Sequence, residues 1–441
     1  MGEPEYIETK SFPIVGIGSS AGGLKAITNF LKGIEEGKGI AYVLIPHLGR
    51  GSQSMLPSIL KKRTVLEVLQ VEDGMVVEKD KIYIIPSNWA MTVKDGHLKL
   101  TVLKNRPGLI HNIDFFFKSL AFEAVENGVA VILSGSGTDG TVGAKIVKAE
   151  LGIVAVQEPR EADFGSMPLT ATLNKLPDIV EPANDIPKKI YEYFNNYKNI
   201  LSLHKGILKK EPSIEIKEIL NYMQYLTNID LKLFNDTFIT KRVLRRMALK
   251  NIDSFVKYFD FLKNNTEEIL DLKTDFYIKL NHFFRGRESF EALKERVKQN
   301  FKDSSKKEFK VWVLGCATGE EAYTTGMVVQ ECFEEIGKPI KITVIGTDAD
   351  RETLEIARPG RYPLAIENDI DKERIEKFFT KRNHYYFIKK GFRKNFLFDI
   401  YNPATDKPLA GIDILSGRDF MRDYKEEVQQ NYLPIFKDCL N

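Results

Sequence analysis

Cysteine is scarce in this 441-residue sequence. Cys316, Cys332 and Cys439 show no paired spacing, which excludes a disulfide framework and a cysteine-based zinc site. Long apolar runs are also missing: none approaches the roughly 20 residues of a membrane-spanning helix, so no membrane insertion is expected. A strong charge imbalance is missing too, the formal net charge being +3, and this gives no case for a nucleic-acid partner. Met1 to Lys10 is polar and acidic, without the apolar centre of a secretory signal, so the cytoplasm is the expected location. Hydrophobic residues at 43% and charged residues at 28% fit a soluble globular chain. The length implies two or three domains.

The first half is organised around Phe12-Pro13-Ile14-Val15-Gly16-Ile17-Gly18-Ser19-Ser20-Ala21-Gly22-Gly23. Phe12 to Gly18 reads as a buried strand. Ala21 to Ile34, with Leu24, Ile27, Leu31 and Ile34 at helical spacing, reads as an amphipathic helix. The glycines between them allow a sharp strand-to-helix turn, which lifts one serine hydroxyl off the sheet end. Further buried strands are predicted at Gly39–Pro46 and Gly128–Ser134, short strands at Lys81–Pro86 and Val154–Gln157, and an alternating one at His97–Leu103. Helices are predicted at Ser54–Lys62, Asp114–Glu126 and from the turn at Gly140 to Glu150. Strands alternating with helices imply an α/β fold with a doubly wound parallel sheet.

Ser20, His47 and Asp139 each fall just past the carboxyl end of a predicted parallel strand, the edge where such sheets bind ligands. A serine, a histidine and an aspartate meeting there would suit acyl transfer: serine attacks, histidine carries the proton, aspartate fixes the histidine tautomer. Taken singly, the histidine reads as structural and the aspartate as a turn-former, and both readings stand on the residues alone. Gly16-Ile17-Gly18-Ser19-Ser20-Ala21 also fits a dinucleotide fingerprint, and so a nucleotide-dependent oxidoreductase. That reading wants an acid after the second strand, where this chain has His47.

The second half changes character. Residues 196–213 read as a linker, and Ile214 to Phe301 as almost wholly helical. There Lys241, Arg242, Arg245 and Arg246 share one helical face, which reads as a solvated face or as a dock for an acidic protein. Phe309–Leu314, then Gly315-Cys316-Ala317-Thr318-Gly319-Glu320-Glu321, a helix to Ile336, and a strand from Ile340 ending at Thr347-Asp348 form a βαβ unit. A glycine-bearing first turn and an acid after the second strand suit a nucleoside cofactor.

On these motifs the first half resembles the catalytic domain of the chemotaxis methylesterase CheB. The likeness rests on Gly18 to Gly23, Pro46-His47-Leu48, Leu133 to Gly140, and Glu161-Ala162-Asp163-Phe164-Gly165-Ser166-Met167-Pro168. The resemblance implies a domain at 11–195 that hydrolyses glutamate methyl esters on receptor helices and deamidates glutamines there, without a cofactor. By position Ser20 is the nucleophile and His47 and Asp139 complete the triad. The amides near Ala21 and Ser136 would be oxyanion donors, with Ser136 standing where the family often has methionine. The family usually carries a receiver domain first. Here only Met1 to Ser11 precede the first strand, and phosphorylation control within the chain is not expected.

Gly315 to Tyr323, Thr347-Asp348-Ala349-Asp350, Ala357 to Tyr362 and Phe283-Phe284-Arg285 resemble the chemotaxis receptor methyltransferase CheR. The resemblance implies an all-helical subdomain at 214–301 and a Rossmann-like domain at 308–441 that uses S-adenosylmethionine to methylate receptor glutamates. By position Gly315, Glu321, Asp348 and Asn402 match cofactor contacts and Arg285 the active-site arginine. The sequence departs from that family at Lys279-Leu280-Asn281, at Gly417-Arg418-Asp419 and at Asp423, and ends at Asn441. These departures imply an incomplete, altered methyltransferase whose sheet has an unpaired edge and a thin core. The whole therefore reads as a methylesterase fused to a degenerate or truncated methyltransferase, with a methyl-accepting receptor or related signalling protein as partner. A non-catalytic module that binds receptor helices and S-adenosyl compounds is the other reading.

Overall fold

In the computed structural model the described residues are 12–47, 56–102, 111–209, 212–227, 231, 234–277, 282–302, 306–382, 385–403, 406–418 and 424–440. Leu48, Lys279-Leu280-Asn281, Asp419, Asp423 and the two chain ends lie outside them. The chain divides into two compact units, the first reaching Leu280 and the second running from Asn281 to Asn441, with 232–235 exchanged between them.

In the first unit the elements run β1 (Ile14–Ser19), α1 (Gly23–Lys32), β2 (Ala41–Pro46), α2 (Leu56–Leu60), β3 (Glu67–Gln70), β4 (Met75–Val76), β5 (Lys81–Ile84), β6 (Trp89–Lys94), β7 (His97–Val102), α3 (Asn112–Ala124), β8 (Gly128–Ile132), α4 (Thr141–Ala149), β9 (Ile153–Gln157), α5 (Ser166–Leu173) and β10 (Ile179–Glu181). Five helices complete it: α6 (Ile186–Leu203), α7 (Ile214–Thr227), α8 (Asp236–Leu249), α9 (Phe255–Lys263) and α10 (Thr266–Tyr277).

Seven strands form one sheet in the order β10-β9-β8-β1-β2-β5-β3, and every pair in it is parallel. β1, β2 and β8 are buried on both faces, which is why they read as unbroken runs of Ile, Val and Ala rather than as alternating strands. β1 lies between β2 and β8, so the strand order reverses beside it and the crevice of such a sheet opens at its carboxyl end. Gly16 and Gly18 bring α3 close: a Cβ at Gly18 would sit 2.3 Å from Ile113 and one at Gly16 2.9 Å from Phe116. A separate antiparallel sheet, β4-β7-β6, is tied to α3 where Ser119 Oγ accepts from Val93 N at 3.0 Å.

The predicted linker begins as helix. α6 continues through 196–203, and Asn196 Nδ2 donates to the carbonyl of Ala248 on α8 at 3.2 Å. Nor is the α8 arginine face solvated. Arg242, Arg245 and Arg246 are each buried to within 2% of full coverage, turned in part against the end of α4 and the start of β9. Arg242 Nη2 donates to Ala149 O at 2.9 Å, and Arg245 Nε and Nη2 donate to Gly152 O at 3.2 and 3.0 Å. Arg245 also pairs with Asp178 and, at 2.6 Å, with Asp275 of α10, while Lys148 Nζ reaches Asp178 at 2.9 Å. Arg246 pairs with Glu268 at 2.6 Å. A helical face rich in arginine is thus neutralised inside the unit by carboxylates from several elements.

Removing one member of a buried ionic cluster leaves an uncompensated charge, at about 3–5 kcal/mol. Asp178→Asn should therefore lower the free energy of unfolding of the first unit, read from urea titration, by that much; a loss below about 1 kcal/mol would contradict the cluster's role. Burial works to raise the Asp275 pKa, but Arg245 and Lys148 hold it at about 2. Its contribution to stability is accordingly present above the ordinary carboxylate range and is lost as the pH falls towards 2.

The second unit comprises α11 (Arg287–Phe301), β11 (Glu308–Leu314), α12 (Glu320–Glu335), β12 (Lys341–Asp348), α13 (Arg351–Ala357), β13 (Arg361–Pro363), α14 (Lys372–Phe378), β14 (Phe379–Arg382), β15 (Tyr385–Ile388), α15 (Lys390–Arg393), β16 (Phe396–Ile400), β17 (Ile414–Ser416) and α16 (Glu426–Lys437). Among the described residues its main sheet has four parallel strands, β16-β12-β11-β17. The expectation of a thin core is not met. One apolar cluster joins Val311, Val313 and Val344 to α12 and the antiparallel β13-β15-β14 sheet. A second joins Trp312 and Leu314 to Tyr432 and Phe436 of α16.

Candidate active site

Ser19 closes β1 and is fully buried. Ser20, next along, is half-buried and lines a groove of ≈ 710 Å³ together with His47, Lys25, Leu56 and Arg63. The turn that presents Ser20 is tightly built. Ser20 N donates to Ser134 O at 3.0 Å, and Ser134 Oγ donates to Ala21 O at 2.9 Å. Gly22 has φ +72°, and a Cβ there would meet Ser134 Oγ at 2.7 Å. Gly135 is equally constrained, since its Cβ would stand 2.1 Å from Met167 Sδ and 3.0 Å from Ser20 Cβ. The motif glycines thus let two loops close on one serine.

His47 follows β2, and its backbone N donates to Ser19 O at 2.9 Å. Its ring Nε2 is 2.7 Å from Asp139 Oδ2. Asp139 is buried and accepts three further hydrogen bonds: from Gly140 N at 2.8 Å, Asp114 N at 2.9 Å and Ile113 N at 3.2 Å. The last two open α3, so the carboxylate caps the positive end of that helix. Burial works to raise the Asp139 pKa, but the imidazoles of His111 and His47 hold it well below the ordinary range. An anionic Asp139 accepts the Nε2 proton of His47, which leaves Nδ1 as the basic nitrogen. Among the described residues no hydrogen bond joins Ser20 Oγ to His47; catalytic contacts of this kind commonly tighten only when substrate fills the site. The amides of Ala21 and Ser136 have no acceptor among the described residues, and Ser136 is exposed.

Sequence reading did not single out His111 or Asp114. Both are buried beside Asp139: His111 Nδ1 is 3.6 Å from Asp139 Oδ1 and 3.6 Å from Asp114 Oδ2. Asp114 Oδ1 accepts from Gly143 N at 2.7 Å. Burial and the neighbouring Asp139 charge push the Asp114 pKa well up.

In the second unit Gly315, Asp348 and Asn402 lie at the carboxyl ends of strands of the four-stranded sheet, while Glu321 opens α12 and Arg285 precedes α11. Gly315 (φ +63°) follows β11, and Asp348 ends β12. Asp348 is buried, and its Oδ2 accepts from Ala317 N at 3.0 Å and its Oδ1 from Asp350 N at 3.0 Å. Glu321, also buried, accepts from Ser416 Oγ at 2.6 Å, which joins α12 to β17. Asn402 follows β16 with an exposed side chain. Arg285 is half-buried, and its carbonyl accepts from Arg418 Nη2 at 2.8 Å. Two buried acceptor-only carboxylates beside a glycine turn suit the hydroxyls of a ribose, so these residues fit a nucleoside cofactor.

Comparison with known proteins divides the chain in the same way. Residues 15–190 match the CheB methylesterase family model, 214–276 the all-alpha domain of CheR methyltransferases, and 279–441 the S-adenosylmethionine-binding domain of CheR. A CheB methylesterase domain is followed here by the two domains of a CheR methyltransferase. An uncharacterized 104.1 kDa protein of Rhodobacter capsulatus is 29% identical over 86% of this chain, which spans 42% of that protein. The protein-glutamate methylesterase/protein-glutamine glutaminase of Geobacillus kaustophilus is 31% identical over 41% of this chain and 53% of its own length. A chemotaxis protein methyltransferase of Borreliella burgdorferi is 26% identical over 56% of this chain and 89% of its own. The crystal structure of the Thermotoga maritima CheB methylesterase catalytic domain matches 41% of this chain and 98% of its own, at 29% identity and a TM-score of 0.38. The CheB–CheR chain has no helix, among its described residues, long and apolar enough to cross a membrane. In it the all-alpha domain lies in the same compact unit as the methylesterase domain, while the S-adenosylmethionine-binding domain forms the other.

Proposed function

We propose that the first unit hydrolyses glutamate methyl esters on a methyl-accepting signalling protein in the cytoplasm, with Ser20, His47 and Asp139 as catalytic residues. The observation that supports it best is the meeting of three chain-distant groups at the end of β1, with His47 bonded to a buried carboxylate and Ser20 on the same groove. Ser20 Oγ attacks the ester carbonyl as His47 Nδ1 takes its proton. The amides of Ala21 and Ser136 receive the oxyanion. Methanol leaves with the proton from His47, and a water then repeats the sequence, releasing the glutamate carboxylate and freeing Ser20. The same steps with ammonia as the leaving group would deamidate glutamine.

For the second unit we propose binding of S-adenosylmethionine, with Glu321 and Asp348 accepting ribose hydroxyls and Gly315, Asn402 and Arg285 around them. When bound, that cofactor supplies an activated methyl group. The test of the first unit is methanol release from a methylated receptor cytoplasmic fragment by the full chain. Release identifies an esterase, whereas binding of the fragment without release would leave only the interaction-module reading. The second unit is tested by calorimetry with S-adenosylhomocysteine: a measurable heat is expected, and its weakening by tenfold or more in Asp348→Ala. No heat from the unaltered chain would reject the assignment.

A further inference from the structure

Asp139 faces two imidazoles. One is His47, at 2.7 Å. The other, His111, occupies the N-cap position of α3 without a side-chain capping bond, is 8% exposed, and holds Nδ1 at 3.6 Å from Asp139 Oδ1 and at 3.6 Å from Asp114 Oδ2. Asp114 lies on the same helix and accepts from Gly143 in the first turn of α4, while Asp139, from the loop before α4, accepts from the first turn of α3. The two carboxylates thus cap each other's helices, and His111 stands at the crossing. The ordinary helix cap in such a place is a small polar side chain. A buried imidazole aimed at the orienting carboxylate of a catalytic histidine has a chemical consequence that a small cap lacks.

We propose that His111 is a positioning residue for the esterase, acting through Asp139. This rests on the Ser20-His47-Asp139 reading. Its imidazole stands against the face of Asp139 away from His47 and shares the Asp139 charge with it, which limits how strongly that carboxylate acts on His47. The titratable groups facing it are Asp114 on α3, Asp139 in the loop after β8 and, across Asp139, His47 after β2. Burial and the Asp139 charge push the Asp114 pKa up, since two full charges side by side in a buried site repel.

The sign of the effect follows. Without His111, more of the Asp139 charge acts on His47. Protonated His47 is then favoured, and the base is lost at a higher pH. In His111→Phe the acid limb of the kcat profile for methanol release should therefore move to higher pH, by half a unit or more. kcat at the plateau should fall roughly tenfold or more while KM changes little. His111→Gln, which restores a donor, should bring the limb part of the way back. Ser20→Ala is run beside them. If Ser20→Ala is inactive but both His111 variants keep the parental pH profile with a folded circular-dichroism spectrum, His111 only fills the space at the start of α3 and the proposal falls alone. A downward shift of the limb overturns it as well. If Ser20→Ala keeps its activity, the triad reading fails first.

Discussion

Ser20→Ala is expected to abolish methanol release, lowering kcat by roughly 10⁴-fold or more, with the fold and fragment binding intact. The size follows from the chemistry, because without Oγ there is no covalent intermediate and only the oxyanion donors and binding remain. Ser19→Ala is the matched control. Ser19 is fully buried behind the turn, with its Oγ 2.6 Å from where a Gly23 Cβ would stand, so its loss affects packing rather than attack. A quenched-flow assay of methanol from the methylated fragment separates the two. Comparable losses in both variants, or a Ser20→Ala rate within tenfold of the parent, would refute the nucleophile.

Asp139→Asn is expected to cost about 10⁴-fold in kcat, as a tautomer-fixing aspartate does in serine hydrolases. His47 donates from Nε2 to Oδ2, so Nδ1 is the base. An asparagine amide turned towards the ring would donate instead, drawing the proton to Nδ1 and removing the base. The carboxamide oxygen can still accept from the start of α3, so stability should drop by no more than about 1–2 kcal/mol. A variant that unfolds would not discriminate, and urea unfolding is measured first. A folded Asp139→Asn protein with a kcat within tenfold of the parent would show that Asp139 serves α3 and not His47.

Much of the fold was legible because its signals are local. The central strands are apolar on both faces, the glycine turns are short, and Ser20, His47 and Asp139 follow strand ends by position alone. What was not legible depends on coverage. Periodicity placed Lys241, Arg242, Arg245 and Arg246 on one face of a helix, but it says nothing about what lies against that face. Asp178 and Asp275, which receive Arg245, stand 67 and 30 positions away. His111 was missed for a similar reason: a histidine at a helix start has no local signature that distinguishes a cap from a neighbour of Asp139. The extension of α6 was masked by its lysines and asparagines, which are solvent-facing helical residues as readily as they are linker residues. The small β4-β7-β6 sheet was seen only in its alternating member β7, since β4 is two residues long.

The arginine cluster also bears on how the polypeptide is made. Asp178 is synthesised some 67 residues before Arg245, and at ordinary elongation rates of about 5–20 residues per second that is a wait of seconds. Throughout that interval the emerging esterase holds Asp178 against Lys148 alone, while its second partner, Arg245, is still inside the ribosome. Its last strand, β10, adjoins that acid, so the domain should settle only once α8 has cleared the exit tunnel. A ribosome stalled near residue 204 would then display a protease-sensitive esterase, and one stalled beyond residue 310 a resistant one.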